Sequence, residues 1–288
     1  MKRLVILSGK GGTGKTTVAG ALIKLSQSKA YTDCDVDAPN LHLITRQKID
    51  PEKKDFYGMP KAEINQELCN KCGLCQEKCR FDAVKKKNES YYVDPFSCEG
   101  CGVCEAVCPA DAVKLHKAVA GELSLYRGDG VFSTAKLKMG SGTSGKLVTE
   151  VKKGLTPPPQ ETQLAIIDGS PGIGCPVIAS LSGADAVLIV AEPSVSGISD
   201  MERIIRTAEH FGVKIAVCVN KYDTNIINTK KIKEFCLDKN LPYLGEIPYD
   251  ICAQKAINQG KTIAEVDCPS ADAVKQIYER ILKIIFIN

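Results

Sequence analysis

The chain has 288 residues, 44% of them hydrophobic, which is enough for one large domain or two smaller ones with a substantial core. Its formal charge of +4 carries no long basic block, so nucleic acid is not an expected partner. Fourteen cysteines follow a start, Met1-Lys2-Arg3, that runs straight into an apolar strand and leaves no room for an export signal. That combination points to a cytoplasmic chain with metal thiolates and not disulfides.

The first element is an apolar strand, Leu4–Leu7, followed by Ser8-Gly9-Lys10-Gly11-Gly12-Thr13-Gly14-Lys15-Thr16-Thr17 and a helical pattern from Thr16 to about Ser26. Gly9, Gly14, Lys15 and Thr16 fill the fixed positions of a phosphate loop in its strand–loop–helix context. Glycines let backbone N–H groups curl round a polyphosphate, and the helix N-terminus adds partial positive charge. Gly11, Gly12, Thr13 and Thr17 belong to the same cradle. Lys15 should reach the β/γ-phosphates and the Thr16 hydroxyl should ligate Mg²⁺.

Lys10 directly after the first glycine makes the loop resemble the deviant Walker A of the MinD/ParA/nitrogenase-iron-protein ATPases. The resemblance implies that Lys10 crosses a dimer interface to touch the partner's nucleotide. A short strand near Ala30–Thr32 then leads into Asp33-Cys34-Asp35-Val36-Asp37, either an Asp-rich turn or a strand-end magnesium and water site. The resemblance to switch I of the family implies that Asp35 positions the attacking water and helps bind magnesium and that Asp33 is its supporting strand-end carboxylate; Asp37 has no assigned role.

Residues from about Thr45 to Lys61 read as a polar connector. Two copies of one spacing follow, Cys69-x2-Cys72-x2-Cys75-x3-Cys79 and Cys98-x2-Cys101-x2-Cys104-x3-Cys108-Pro109. Between them Lys85-Lys86-Lys87 reads as a solvated turn. The runs resemble the bacterial two-cluster ferredoxin, in which each fourth cysteine serves the other cluster. That implies two [4Fe–4S] clusters, one on Cys69, Cys72, Cys75 and Cys108, the other on Cys98, Cys101, Cys104 and Cys79. Paired CxxC units can also form zinc sites, though three cysteines at two-residue spacing suit cubane clusters better. Arg80 stands where the first run would have proline.

A hairpin is expected at Glu122–Arg127 and Val131–Leu137, then a helix from Lys146 to about Lys153 and a stiff Pro157-Pro158-Pro159 connector. Leu164–Ile167 is a strand ending in Asp168, the magnesium-side carboxylate of a Walker B, and Gly169–Pro176 resembles switch II, with Gly172 among the glycines that let an amide reach the γ-phosphate. Strands Ala186–Ala191, Val213–Val219 and Tyr243–Ile247 alternate with helices from about Ser196 to Phe211 and Asn228 to Leu237. Such alternation calls for a parallel sheet covered on both faces. The tetrad Asn220-Lys221-Tyr222-Asp223 could select guanine through Asp223, but its flanks resemble the MinD-type ATPases, where the matching Asn220 meets adenine, so ATP is the expected nucleotide. The last helix, Ser270 to about Ile285, is amphipathic with a thin basic face and suits docking on the sheet better than membrane binding. Of the remaining cysteines, Cys34 and Cys175 fall in the switches, while Cys218, Cys236, Cys252 and Cys268 stand alone.

The whole therefore resembles a MinD-superfamily ATPase with an inserted α+β bacterial-type ferredoxin, related to the Mrp-type iron–sulfur ATPases. The fold implied is α/β, a doubly wound parallel-sheet P-loop NTPase built from residues 1–45 and 118–288, with the ferredoxin at 60–117. Three activities follow from that resemblance: electron transfer gated by a nucleotide-driven homodimer (or a heterodimer with a similar chain), iron–sulfur cluster assembly or carriage, and MinD-like positioning with redox-sensing clusters. The first requires a redox partner protein.

Overall fold

The computed structural model describes residues 1–159 and 162–287; Gln160, Glu161 and Asn288, which fall inside the 118–288 expectation, lie outside the described residues. The chain divides into two compact units, Met1–Lys53 with Leu123–Ala135 and Gly145–Asn288, and Lys54–Glu122 with Lys136–Ser144.

In chain order, β1 (Lys2–Leu7), α1 (Lys15–Ser26), β2 (Ala30–Asp33) and the short α2 (His42–Thr45) come first. They are followed by β3 (Glu52–Tyr57), β4 (Lys61–Ile64), α3 (Leu74–Glu77), β5 (Val84–Lys87), β6 (Ser90–Val93), α4 (Val103–Ala106) and β7 (Val113–His116). The hairpin β8 (Val119–Arg127) and β9 (Val131–Leu137) leads to α5 (Ser144–Lys153), β10 (Leu164–Asp168), α6 (Cys175–Leu181), β11 (Ala186–Ala191) and α7 (Val195–Glu209). The chain closes with β12 (Lys214–Asn220), α8 (Ile226–Asp238), β13 (Tyr243–Ile247), α9 (Ile251–Asn258) and α10 (Pro269–Phe286).

The first unit is an α/β fold on a sheet ordered β13-β12-β11-β1-β10-β2-β9, every neighbouring pair parallel. Its central strands are apolar along their length because both faces are covered. In β1, Leu4 and Ile6 join the cluster made with α1 and α10, while Val5 and Leu7 are buried outside it. The same cluster takes Val274, Ile277, Ile281 and Ile285 of α10, all at most 8% exposed. Burying each such side chain is worth about 1.5–3 kcal/mol, so α10 is docked on the sheet, as its spacing suggested. No helix among the described residues is long and apolar enough to cross a membrane.

The second unit repeats one design. Gly73 and Gly102 both sit at φ 81° and start the one-turn helices α3 and α4. β4 pairs antiparallel with β7, and β5 with β6. Six of its cysteines, among them Cys75 and Cys98, pack with Ala62, Ile64, Val84, Tyr91 and Val113 into one small core.

Two expectations need correction, and one helix was not anticipated. The connector from Thr45 to Lys61 contains β3, whose side chains are exposed except for Phe56 and so carry no alternating apolar signal. Lys85–Lys87 lie in β5 and not in a turn; their side chains stay solvated on an antiparallel strand. A further helix, α6, follows switch II; its signal was Pro176 in the first turn, a residue that suits a helix start.

Candidate functional site

β1 delivers the loop Ser8–Gly14 at its carboxyl end, and α1 begins at Lys15 with Gly14 as its N-cap at φ 91°. A side chain at Gly14 would be strained there and its Cβ would lie 2.1 Å from the Asn220 amide nitrogen. Gly9 packs against α7, beside Asp200. The loop encloses a cavity of about 250 Å³ lined by Lys10, Gly11, Gly12, Thr13, Gly14, Lys15, Thr16 and Thr17 together with Ser8, Asp35, Asn40 and Pro171. Backbone N–H groups and a helix N-terminus open to such a cavity form an anion site.

Three carboxylates converge on this loop because their strands are parallel and in register. Ile6 of β1 pairs with Asp168 of β10, which in turn pairs with Asp33 of β2. The Lys15 ammonium lies 2.5 Å from Asp168 Oδ1, both side chains almost wholly buried. Burial pulls the Lys15 pKa down, but Asp168, Asp33 and Asp35 outweigh it and hold it above its ordinary value. Burial and the neighbouring Asp168 push Asp33 up to about 7, against hydrogen bonds that favour its carboxylate. Those come from the amides of Asp35 (3.0 Å), Asn40 (2.8 Å) and Leu41 (2.9 Å), so Asp33 fastens the switch I turn. Asp35 is also raised, chiefly by burial and in spite of Lys15. Asp168 Oδ2 and Thr13 Oγ1 are buried without a partner. One ammonium among three carboxylates, with a buried acceptor unused, fits a Mg²⁺ ion and a phosphate chain arriving together.

The turns after β2 and β10 are tied to the same strand ends. The Gly172 amide donates to Ser8 O at 3.0 Å, and the Cys34 amide donates to Asp168 O at 2.8 Å. Cys34 is buried, and burial lifts its thiol to about 12; Cys175, in the first turn of α6, is exposed.

Lys10 lies along its own chain. Its ammonium donates to the hydroxyls of Ser194 (3.2 Å) and Ser196 (3.3 Å) and sits 3.5 Å from Glu192. Beyond the phosphate cradle a second cavity of about 280 Å³ is lined by Gly12, Gly14, Asn220, Pro248, Tyr249, Ile257 and Ile263 among others, room for a nucleotide base. Asn220 has a structural task beside any contact to a base: its Nδ2 donates to Thr13 O at 2.7 Å and its Oδ1 accepts from the Lys221 amide. Lys221 reaches Gly12 O at 3.0 Å. Asp223 does not line the cavity; its carboxylate accepts from the Tyr249 amide at 2.8 Å. Sequence reasoning missed the ties of Asn220 and Lys221 to the loop because they join residues 207 and 209 positions apart.

In the second unit a small, almost wholly apolar cavity is lined by Cys79, Cys98, Cys101 and Cys104 with Phe81, Val84, Val93 and Leu115. The two runs show matching amide–sulfur bonds, Ala83 N–H to Cys79 Sγ at 3.4 Å and Ala112 N–H to Cys108 Sγ at 3.3 Å. Cys69 is half-buried, Cys75 buried and Cys72 exposed.

Comparison with known proteins bears on this geometry. Residues 4–263 match the model of the CobQ/CobB/MinD/ParA nucleotide binding domain. An uncharacterized protein of Methanocaldococcus jannaschii is 33% identical over 289 residues, covering 98% of this chain and 97% of its own length. An iron-sulfur cluster carrier protein of the same organism is 23% identical over 98% of this chain and 84% of its own. The solved structure of the septum site-determining protein MinD complexed with Mg-ADP from Pyrococcus horikoshii aligns with a TM-score of 0.59 at 16% identity, over 99% of this chain and 98% of that one. A loop cradle, a strand-end carboxylate pair and a base cavity on a parallel sheet agree with that match over most of the chain: it belongs to the CobQ/CobB/MinD/ParA nucleotide-binding family.

Proposed function

We propose that this protein is a Mg²⁺-dependent ATPase whose nucleotide-driven dimer switch is coupled to electron transfer through two [4Fe–4S] clusters. The observation that carries the redox half is the company Cys79 keeps. It lines one apolar cavity with Cys98, Cys101 and Cys104, so the fourth cysteine of the first run stands with the first three of the second. Cys69, Cys72, Cys75 and Cys108 are then the other set. The donors fit the group: thiol sulfurs on tight loops, an apolar surround, and amide N–H groups aimed at two of the sulfurs. When bound, each cluster supplies a one-electron couple whose potential follows its hydrogen bonds and exposure.

On the ATPase side, Lys15 exchanges Asp168 for the β/γ-phosphates when nucleotide enters. Asp168 and the Thr16 hydroxyl would hold the magnesium ion, Asp35 would orient the attacking water, and Asp33 would keep the turn after β2 in place. Lys10 leaves Ser194 and Ser196 to reach the nucleotide of a second copy. The second unit begins shortly after switch I in the chain, so a switch that moves with the γ-phosphate can bias it.

A MinD-like positioning ATPase with redox-sensing clusters is the second reading, favoured by the likeness of the fold to MinD. Cluster carriage is weakened by the lack of a CxxC pair in the ATPase part of the sequence.

The test is anaerobic preparation with iron and sulfide analysis, then a redox titration followed by EPR with ADP, with a non-hydrolysable ATP analogue and with neither. About eight irons and eight sulfides per chain are expected. An allosteric coupling of about 1–3 kcal/mol corresponds to roughly 40–130 mV for a one-electron couple. Identical midpoints in all three states leave the clusters as passengers and favour the positioning reading; zinc in place of iron removes both.

A further inference from the structure

The starts of α9 and α10 meet at one side chain. Asp250, the N-cap of α9, accepts from the Cys252 amide at 2.8 Å through Oδ1 and from the Ser270 amide of α10 at 3.2 Å through Oδ2. Cys268 is the N-cap of α10, and its sulfur lies 3.2 Å from the Ser270 hydroxyl. The result is a trio of donors from two separate stretches of the sequence, Asp250 and Cys252 at the start of α9 and Cys268 at the start of α10. A carboxylate oxygen of Asp250 and the sulfurs of Cys252 and Cys268 all lie within 4.8 Å of one another.

Two thiols and one carboxylate at that separation are the donor set of a borderline-soft dication. Zinc takes sulfur and oxygen ligands in a tetrahedral shell, and a site with three protein ligands leaves the fourth position to water. Magnesium and calcium want oxygen alone. Cys252 lies in the first turn of α9 and Cys268 caps α10; burial, with Asp250 beside it, raises the Cys268 thiol, so a metal binding here displaces its proton. Cys268 is buried and gives the site an anchored side, while Cys252 is exposed and gives it an entry path.

We propose that Asp250, Cys252 and Cys268 form a binding site for a zinc-type divalent cation, with a fourth position open to water, at the rim of the base cavity. Asp250 and Ser270 line that cavity, as do Ala253, Gln254 and Ile257 of α9. A cation bound here pins α9 to α10 and fixes one wall of the base cavity, a use of metal unrelated to the cysteine runs of the second unit.

The probe is zinc itself. Anaerobically prepared full-length protein, kept reduced, is incubated with zinc chloride, desalted, and measured for zinc and iron by mass spectrometry and for zinc coordination by X-ray absorption, which reads zinc separately from iron. About one tightly held zinc per chain is expected, with two sulfurs and lighter atoms in its shell. Cys252→Ser and Cys268→Ser should each abolish it with iron content unchanged. Because Cys252 is exposed, Cys252→Ser keeps the packing of α9, and an unchanged circular dichroism spectrum and melting profile certify it, so this variant decides the matter if Cys268→Ser fails to fold. The proposal is overturned if wild-type protein retains no zinc, if Cys252→Ser retains as much as wild type, or if the zinc shell contains four sulfurs.

Discussion

The ammonium of Lys15 and the carboxylate of Asp168 form a 2.5 Å ion pair with no more than 5% of either side chain exposed. The lysine at the start of α1 is thus held in place by the carboxylate at the end of β10. Removing one member of a buried pair costs about 3–5 kcal/mol, because the other charge is left uncompensated. Lys15→Ala should therefore lose nucleotide binding and also unfold in urea with a stability lower by about 3 kcal/mol. The double variant Lys15→Met, Asp168→Asn should recover part of that loss without recovering binding. Equal stabilities for wild type and Lys15→Ala in nucleotide-free urea titrations would show that the pair does not hold the resting loop together.

Asp33 gives the resting protein a pH signature. Its folded pKa, about 7, lies above the ordinary 3.8, so between those values the folded state holds a proton that the unfolded state has lost. Stability from this group is greatest below pH 3.8, falls as pH rises through the window, and levels off above about 7. Asp33→Asn should flatten that slope. A divalent cation beside a carboxylate lowers its pKa, so Mg²⁺ binding near pH 6.5 should release protons from wild type and fewer from Asp33→Asn. Calorimetry in buffers of different ionisation enthalpy reads that difference directly.

Lys10 is parked on Ser194, Ser196 and Glu192 through contacts that are partly exposed. Such contacts are worth about 0.5 kcal/mol or less, so releasing Lys10 toward a second copy meets little resistance. In an Asp35→Ala background, which should turn over slowly and accumulate as an ATP-bound dimer, adding Lys10→Ala should return the protein to monomer with its melting temperature almost unmoved. Sedimentation of both variants with ATP settles the role; a dimer in each case assigns Lys10 to loop packing alone.

Gly73 and Gly102 hold equivalent places at φ 81°, yet they are not equally replaceable. Left-handed backbone costs an L-residue about 1–2 kcal/mol at either position. At Gly73 a Cβ would also come within 2.7 Å of the Tyr91 hydroxyl, whereas at Gly102 it meets only Leu115 at 3.5 Å. Gly73→Ala should therefore destabilise the protein more than Gly102→Ala, by about 1 kcal/mol or more in chemical denaturation. The reverse order would place Tyr91 elsewhere.

What the sequence determined by itself was whatever a short window can encode. The phosphate loop is legible because its glycines, Lys15 and Thr16 act within one turn of chain. The strands from Leu164 to Asp168 and from Ala186 to Ala191 are legible because a parallel strand buried on both faces must be apolar throughout. The exposed β3 had no such signal, and α6 had only Pro176. Tertiary structure alone decided which distant groups meet: Asp33 beside Asp168 through strand register, Asn220 under Thr13, and Cys268 beside Asp250 and Cys252. Those pairings come from how strands align and where helices start in space, and sequence spacing does not record either.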